Sequence, residues 1–356
     1  MQKRCLLLAG ILGTAAVMTS GCANSKEEAV KSIKIGVTLY DQYDTFLTEM
    51  MTGFAEYVAK KEEDSGVSIN VEVLDASGSQ LTQNEEVKSL IEKGCDVICV
   101  NLVDRTEPTT ITDMAEKNGV PVIFFNRELV AEDLERWDEL YYVGADAFES
   151  GRLEGELAAD AFKELERMDK NADGICQYVV LEGEAGHQDS IVRTECSVNT
   201  MAEEGVETEK LGYAIANWNR AQAQTKTAAM LSQFDGKIEL IIANNDDMAL
   251  GAIDALKASE IEKSQWPIVV GIDGTDAGLD AVKNGEMLAT VYNDKEGQAR
   301  EMLDLAFAIA TGADKSEIPL VDGKYVRLPY HKVTADNVQE FQENDKEDYE
   351  TKNSPD

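Results

Sequence analysis

The chain has little positive charge: 33 Lys and Arg stand against 68 Asp and Glu in 356 residues, a formal net of −35. A surface of that sign repels phosphate backbones and anionic headgroups, so nucleic acid and electrostatic membrane binding are excluded as functions. Histidine occurs twice, and no Ser or Cys stands with His and Asp in a nucleophile motif. The six cysteines lack zinc-finger spacing. Proline occurs only six times and hydrophobic residues make up 43 %, a globular composition rather than a disordered or fibrous one. No G-x-G-x-x-G or P-loop is present, so no phosphate cradle is expected. The chain length suits two lobes, each large enough to bury a core.

Long apolar runs are also missing. The one at residues 6–18, after Lys3 and Arg4, is too short for the roughly 20 residues of a membrane-spanning helix and reads as a signal-peptide core. It ends in Thr19-Ser20-Gly21-Cys22. Small residues before a Cys at this place resemble the bacterial lipobox, which implies cleavage after residue 21, acylation of Cys22 and a location at the outer face of the cell membrane. Residues 22–32 then form a tether. Of the remaining cysteines, Cys95 and Cys99 lie about 13 Å apart along an extended run, too far for a disulfide. Cys176 and Cys196 could pair, but buried free thiols are the simpler expectation.

The mature chain alternates strand and helix. β-rich runs fall at 33–40, 69–75, 96–101, 120–126, 141–144, 177–181, 240–244, 268–272 and 288–292, and amphipathic stretches such as 45–61 lie between them. Asp146 with Glu149 reads as a capping box opening a helix. Apolar strands alternating with helices mean parallel sheets covered on both faces, and this number of strands predicts two doubly wound α/β lobes. Residues 341–356 are acidic and nearly free of aliphatics, as in a disordered tail.

In open α/β sheets, ligands bind beyond the carboxyl ends of the strands. Those positions hold Asp44, Asn101, His187, Asp189, Asn245, Asp246, Asp273 and Asn293, with Arg193 just downstream of Asp189. A ring of Asp and Asn supplies acceptors and donors together, which is what a neutral polyhydroxyl ligand needs. Separately, Asp169-x-Asn171-x-Asp173-Gly174-x-x-Gln177 has the alternating oxygens and sixth-position Gly of the first half of an EF-hand loop, but position twelve is Val180 rather than Glu.

The segments VTLYDQYDTF, ICVNLVD, PVIFFN, YYVGAD, GEAGHQDSIVRT, ANWNRAQA, IIANNDDMALGA, VVGID and TVYND resemble, in this order, the periplasmic galactose/glucose-binding proteins of bacterial ABC importers. The resemblance implies the type I periplasmic-binding-protein fold: two Rossmann-like lobes joined by three crossover hinge strands, near 120–126, 292–295 and 327–330. It implies a first lobe of 33–122 with 294–327 and a second of 123–293 with 328–340. It also implies a sugar site of Asp44, Phe46, Asn101, His187, Asp189, Arg193, Trp218, Asn245, Asp273 and Asn293, with Phe46 and Trp218 against the two faces of the pyranose. Gln188 stands where the family has Pro. By the same resemblance, Asp169, Asn171, Asp173, the Ile175 carbonyl, Gln177 and a distant Glu239 would hold a structural Ca²⁺.

The expected partners are a monosaccharide, galactose or glucose with another monosaccharide as the alternative, and a membrane permease, or a chemoreceptor or sensor kinase if the protein signals. A monomer is expected, and not an enzyme. A sugar-responsive repressor would need a basic helix-turn-helix where the signal peptide stands, and an extracellular carbohydrate-active enzyme would have to use acids such as Asp189 and Asp273. His331, Trp137 and Trp266 lack a polar ring and read as surface or packing residues, and one of Asp246 and Asp247 reads as a helix cap.

Overall fold

The computed structural model describes residues 31–342. From the start of that range the chain runs β1 (Ser32–Leu39), α1 (Thr45–Ser65), β2 (Ser68–Asp75), α2 (Gln80–Glu92), β3 (Val97–Val100), α3 (Thr109–Asn118), β4 (Val122–Phe125), a single turn α4 (Ala131–Leu134) and β5 (Leu140–Ala145). It continues with α5 (Ala147–Glu164), β6 (Ile175–Glu182), α6 (Gln188–Glu203), β7 (Glu207–Ile215), α7 (Arg220–Phe234), β8 (Leu240–Ala243), α8 (Asp246–Ala258), β9 (Ile268–Asp273), α9 (Asp276–Lys283) and β10 (Ala289–Asn293). Last come α10 (Lys295–Thr311), β11 (Tyr325–Leu328) and β12 (Tyr330–Thr334).

Two six-stranded sheets result, ordered β2-β1-β3-β4-β5-β11 and β7-β6-β8-β9-β10-β12. All pairings are parallel except β10 with β12. Strands β3 (VICV) and β4 (VIFF) are buried at every position, as expected where helices cover both faces. Along β3 the faces alternate: Val97 and Cys99 pack with Ile35, Phe54 and Met302, while Ile98 and Val100 pack with Leu90, Ile111 and Tyr142. Each sheet thus has a core on either side, and each reverses its strand order between the first and third strands of its lobe. Those two switch points face one cleft.

The chain passes between lobes three times. The first passage corrects the expectation of 120–126: β4 pairs with β3 and β5 pairs with β4, so both stay in the first sheet, and the chain crosses at Ala145–Ala147. The second lobe therefore begins after β5 rather than at 123. Strands β4 and β5 are as apolar as their neighbours, so nothing in their periodicity says which sheet they join. The second passage follows Asn293, where β10 ends and α10 returns to pack on α1. The third is at Pro329: Leu328 pairs with Ala145 in the first sheet, which moves that boundary one residue, and Tyr330 pairs with Asn293 in the second.

Three smaller expectations also change. Ser32 belongs to β1 rather than to the tether, paired with Ser68. Phe341 and Gln342 belong to the folded body: the Phe341 ring lies 4.9 Å from that of Tyr292, and Gln342 bonds Lys283 and Asp280. Asp146 caps α5 alone, accepting from the Phe148 amide, while Glu149 accepts the Tyr330 amide of the third crossing. Cys95, Cys99, Cys176 and Cys196 are free thiols, the first three buried. The signal segment, Cys22 and residues 343–356 lie outside the described residues.

Candidate ligand-binding cleft

The first-lobe wall starts where β1 ends. Tyr40 donates from its hydroxyl to Asp44 Oδ2 at 2.7 Å, and Asp44 Oδ1 accepts the Leu47 amide at 2.9 Å as the N-cap of α1. One carboxylate thus starts a helix and faces the cleft. Phe46, in the first turn of α1, adds an apolar face. Arg127 is buried, its guanidinium stacked 3.4 Å from the Tyr40 ring centroid. It donates to the Val103 carbonyl at 3.1 Å and reaches across to Glu184 Oε2 of the second lobe, also at 3.1 Å.

The second-lobe wall is built around one buried cation. Arg193 donates to the Asn244 carbonyl at 2.8 Å and to the Tyr330 hydroxyl at 3.1 Å, with Asp273 at 3.6 Å and Asp189 at 3.9 Å. Burial pushes the Asp189 and Asp273 carboxyls up from their ordinary range, Asp273 well up, and the Arg193 charge opposes both shifts. Asp273 sits at a φ of 121°, a backbone state that side-chain-bearing residues rarely adopt. His187 caps α6: its Nδ1 accepts the Asp189 amide at 3.2 Å. Burial first, and then the charges of Arg127, Arg193 and Arg105, hold the imidazole well below its usual pKa, so it is neutral. With Nδ1 an acceptor, the proton sits on Nε2, a buried donor without a protein partner.

Trp218 follows Asn217 in a pair of left-handed residues, φ 51° and 59°, that turn the indole into the cleft. A β-carbon on Gly183 would come within 2.3 Å of its ring, so only glycine leaves the indole this space. The ring meets His187 edge-on at 5.4 Å. Asn245 caps α8, accepting the Met248 amide at 3.0 Å and directing its Nδ2 toward the Trp218 carbonyl at 3.5 Å. The cap expected from Asp246 or Asp247 is therefore Asn245. Asp246 is fully buried and accepts from the Thr275 amide and the Thr290 hydroxyl, and Asp247 accepts the Thr45 hydroxyl of the first lobe at 2.7 Å.

Asp44, Phe46, His187, Asp189, Arg193, Trp218, Asn245 and Asp273 thus line a single cleft. Asn101 and Asn293 stand behind the wall. Asn101 Nδ2 donates to the Phe125 carbonyl and to Asn126 Oδ1, tying the ends of β3 and β4 together, and Asn293 Oδ1 accepts from Gln298 at 2.6 Å. Tyr40, Asn126 and Arg127 join the lining although sequence reasoning did not single them out. Their signal was available: each lies just past the end of β1 or β4. Direct bonds hold the lobes together, among them Thr45 to Asp247, Arg127 to Glu184 and the Asp276 amide to Glu49. The space between these side chains is about 40 Å³, room for a few waters, so a larger ligand needs the lobes to open.

The EF-hand-like loop precedes β6. Asp169 accepts the amides of Asp173 and Gly174, Asp173 accepts that of Ile175, and Asn171 and Gln177 direct side-chain amides at Asp173. Gly174 has a φ of 78°, as the sharp turn requires. Glu239 is buried behind the loop, its two oxygens taking the Lys170 and Gln177 amides. The donor set is all oxygen, carboxylate, amide and carbonyl, which fits a hard cation such as Ca²⁺. Among the described residues, no three His, Cys, Asp or Glu side chains converge as a metal cluster, and both Glu239 oxygens accept backbone amides.

Comparison with known proteins agrees with this architecture. Residues 35–314 match the periplasmic binding protein domain family. A D-galactose/methyl-galactoside binding periplasmic protein of Haemophilus influenzae is 35 % identical over 315 residues, 86 % of this chain and 91 % of its own. A xylitol-binding protein of Mycolicibacterium smegmatis is 30 % identical over 307 residues, covering 86 % and 78 %. The crystal structure of an ABC transporter solute binding protein from Bacillus halodurans with bound myo-inositol superposes with a TM-score of 0.73 at 29 % identity, covering 89 % of this chain and 99 % of that one. With two mainly parallel α/β lobes around one cleft and a match over most of its length, the chain belongs to the periplasmic binding protein family, and it is an extracytoplasmic binding protein, not an enzyme.

Proposed function

We propose that this protein captures D-galactose or D-glucose in the interlobe cleft and delivers it to an ABC importer. The observation that carries the reading is the cleft's mixture of groups: a neutral His187 with a free Nε2 donor and a fixed Arg193, beside acceptors Asp44, Asp189 and Asp273, with Phe46 and Trp218 as apolar surfaces. Hydroxyls both give and take hydrogen bonds, and each bond to a charged partner is worth about 1.5–3 kcal/mol. The C–H faces of a pyranose supply what the two aromatic rings need. The named relatives bind galactosides, xylitol and myo-inositol, all neutral polyols. A hexose is favoured among these because the galactoside-binding relative is the most similar of the three and because two aromatic surfaces suit a ring.

Groups from both lobes reach the ligand, so binding favours the closed arrangement. The permease would then read the closed form. A role as a sensor, through a chemoreceptor or sensor kinase, would use the same closure. The reading includes a lipid anchor on Cys22 and a structural Ca²⁺ held by Asp169, Asn171, Asp173, the Ile175 carbonyl and Gln177, with Glu239 turning from its backbone partners to complete the set. That ion would supply charge compensation and stiffness, far from any chemistry.

A calorimetric screen over galactose, glucose, ribose, xylose, xylitol and myo-inositol tests the assignment. Saturable binding of galactose or glucose, tighter than of the rest, is expected. Preference for a pentose or an inositol would overturn it.

A further inference from the structure

Beneath Arg193, on the side away from the cleft, lies a carboxyl group that the binding reading does not use. Glu154 is completely buried on α5. It arrives there because α5 and α6 approach at backbone distance: a β-carbon on Gly151 would come within 2.9 Å of the Arg193 carbonyl, and one on Gly155 within 2.4 Å of the Ser197 carbonyl. Between these two glycines, Glu154 Oε2 meets Ser197 Oγ at 2.6 Å, and the same Oγ lies 2.7 Å from the Arg193 carbonyl oxygen.

Both are hydrogen-bond separations between oxygens, and each needs a hydrogen. A serine hydroxyl has only one, and a carbonyl has none. The second must come from Glu154. Moreover, Glu154 Oε1 has no partner, and a buried carboxylate with a single hydrogen bond would be costly, whereas a neutral acid is not. We infer that Glu154 is a protonated positioning residue: it donates to Ser197 Oγ, which donates to the Arg193 carbonyl, and so fixes the turn of α6 that aims the Arg193 guanidinium into the cleft. The inference deepens the binding reading and rests on it for its effect on affinity.

Burial also raises the Glu154 carboxyl to about 8, against the lowering effects of Ser197 and Arg193 and with Asp246 adding to the rise. The charged and titratable groups around it are Arg193 on α6 and Asp246 at the start of α8, while Asp189, Asp273 and Tyr330 ring Arg193 from the cleft side. Loss of the proton reverses the Ser197 hydroxyl toward Glu154, releases the Arg193 carbonyl and sets a third carboxylate competing for the guanidinium. Because the folded state holds this proton above the ordinary carboxylate range, the group's contribution to stability is greatest in acid, declines as pH rises from about 4.5 to 8, and is level beyond.

Two measurements on the full protein test this. Difference infrared spectroscopy of the sugar-free protein should show a protonated-carboxyl carbonyl band at pH 7 that fades near pH 8 and is missing in Glu154→Gln. This arm needs no ligand. Calorimetry with galactose should show wild-type affinity falling about tenfold between pH 7 and 9, the loss expected when the binding-competent form carries a proton with a pKa near 8. Glu154→Ala should be weak at both pH values. Glu154→Gln, whose amide can still donate to Ser197, should restore the affinity at pH 7 and lose the slope. An unchanged infrared band in Glu154→Gln, or a Glu154→Gln profile that slopes like wild type, would overturn the proposal. If no hexose binds wild type at any pH, the hexose reading fails, while the infrared band still decides the proton.

Discussion

Several side chains of the cleft hold two assignments at once, and substitutions separate them. Asp44 caps α1 with one oxygen and takes the Tyr40 hydroxyl with the other. Asp44→Ala should therefore weaken sugar binding at least tenfold and also cost about 1 kcal/mol of stability for the lost cap. Asp44→Asn, which can still accept the Leu47 amide, should keep the melting temperature while binding remains weakened. Calorimetry and thermal melts on both variants check this, and unchanged affinity in both would remove Asp44 from the ligand contacts. The residue scale is also where sequence reading reaches its limit. Asn101 and Asp44 both follow a strand end, yet Asn101 turns inward because the Phe125 carbonyl and Asn126 offer its amide partners there. That choice depends on the neighbouring strand, which no local pattern reports. Arg127 also lies past a strand end, but as a cation it is no part of the Asp and Asn pattern that marks those positions in the sequence. It is placed by Tyr40, stacked against it, and by Glu184 from the other lobe.

At the level of elements, the apolar runs were legible and their partners were not. Strands β3, β4, β8 and β9 are buried along their whole length, which a continuous hydrophobic run announces. Strand β7 (ETEKLGYAI) forms the edge of the second sheet with no residue fully buried, and a strand of that kind leaves no such run. Strands β11 and β12 are short and separated by one proline, so they read as a hinge rather than as members of two different sheets. The loop before β6 was legible by its spacing, and its internal bonds show why it folds as a compact turn: Asp169 and Asp173 gather the backbone amides. The half-buried Asp169 and the exposed Asp173 repel the buried Glu239, and a divalent cation would relieve that. Adding a chelator to protein purified with calcium should lower the melting temperature by several degrees, with recovery on adding calcium but not sodium. Identical melts would remove the ion.

Over the whole molecule, the charge excess has separable parts. Asp44, Asp189 and Asp273 face the cleft, Glu154 and Asp246 are buried around it, Asp169 and Asp173 lie in the loop before β6, and Glu239 packs behind that loop. Exposed pairs such as Lys163 with Glu204 contribute little to stability, and the low basic count leaves most surface acids solvated. Bonds across the cleft hold the two lobes together beside the three chain crossings, among them Thr45 to Asp247, Arg127 to Glu184, Glu49 to the Asp276 amide and Lys295 to the Gly274 carbonyl. A ligand that bonds both walls adds to that set, so recognition and closure are one equilibrium. Trp218 of the second lobe and Phe46 of the first both line that cleft. The most direct measurement is the fluorescence of Trp218, isolated by Trp137→Phe and Trp266→Phe, during titration with galactose and with glucose. A saturable change with at least one of the two is expected, at the concentration where calorimetry reports binding, and a Trp218 signal that stays flat through saturating amounts of both would contradict a hexose bound against the indole.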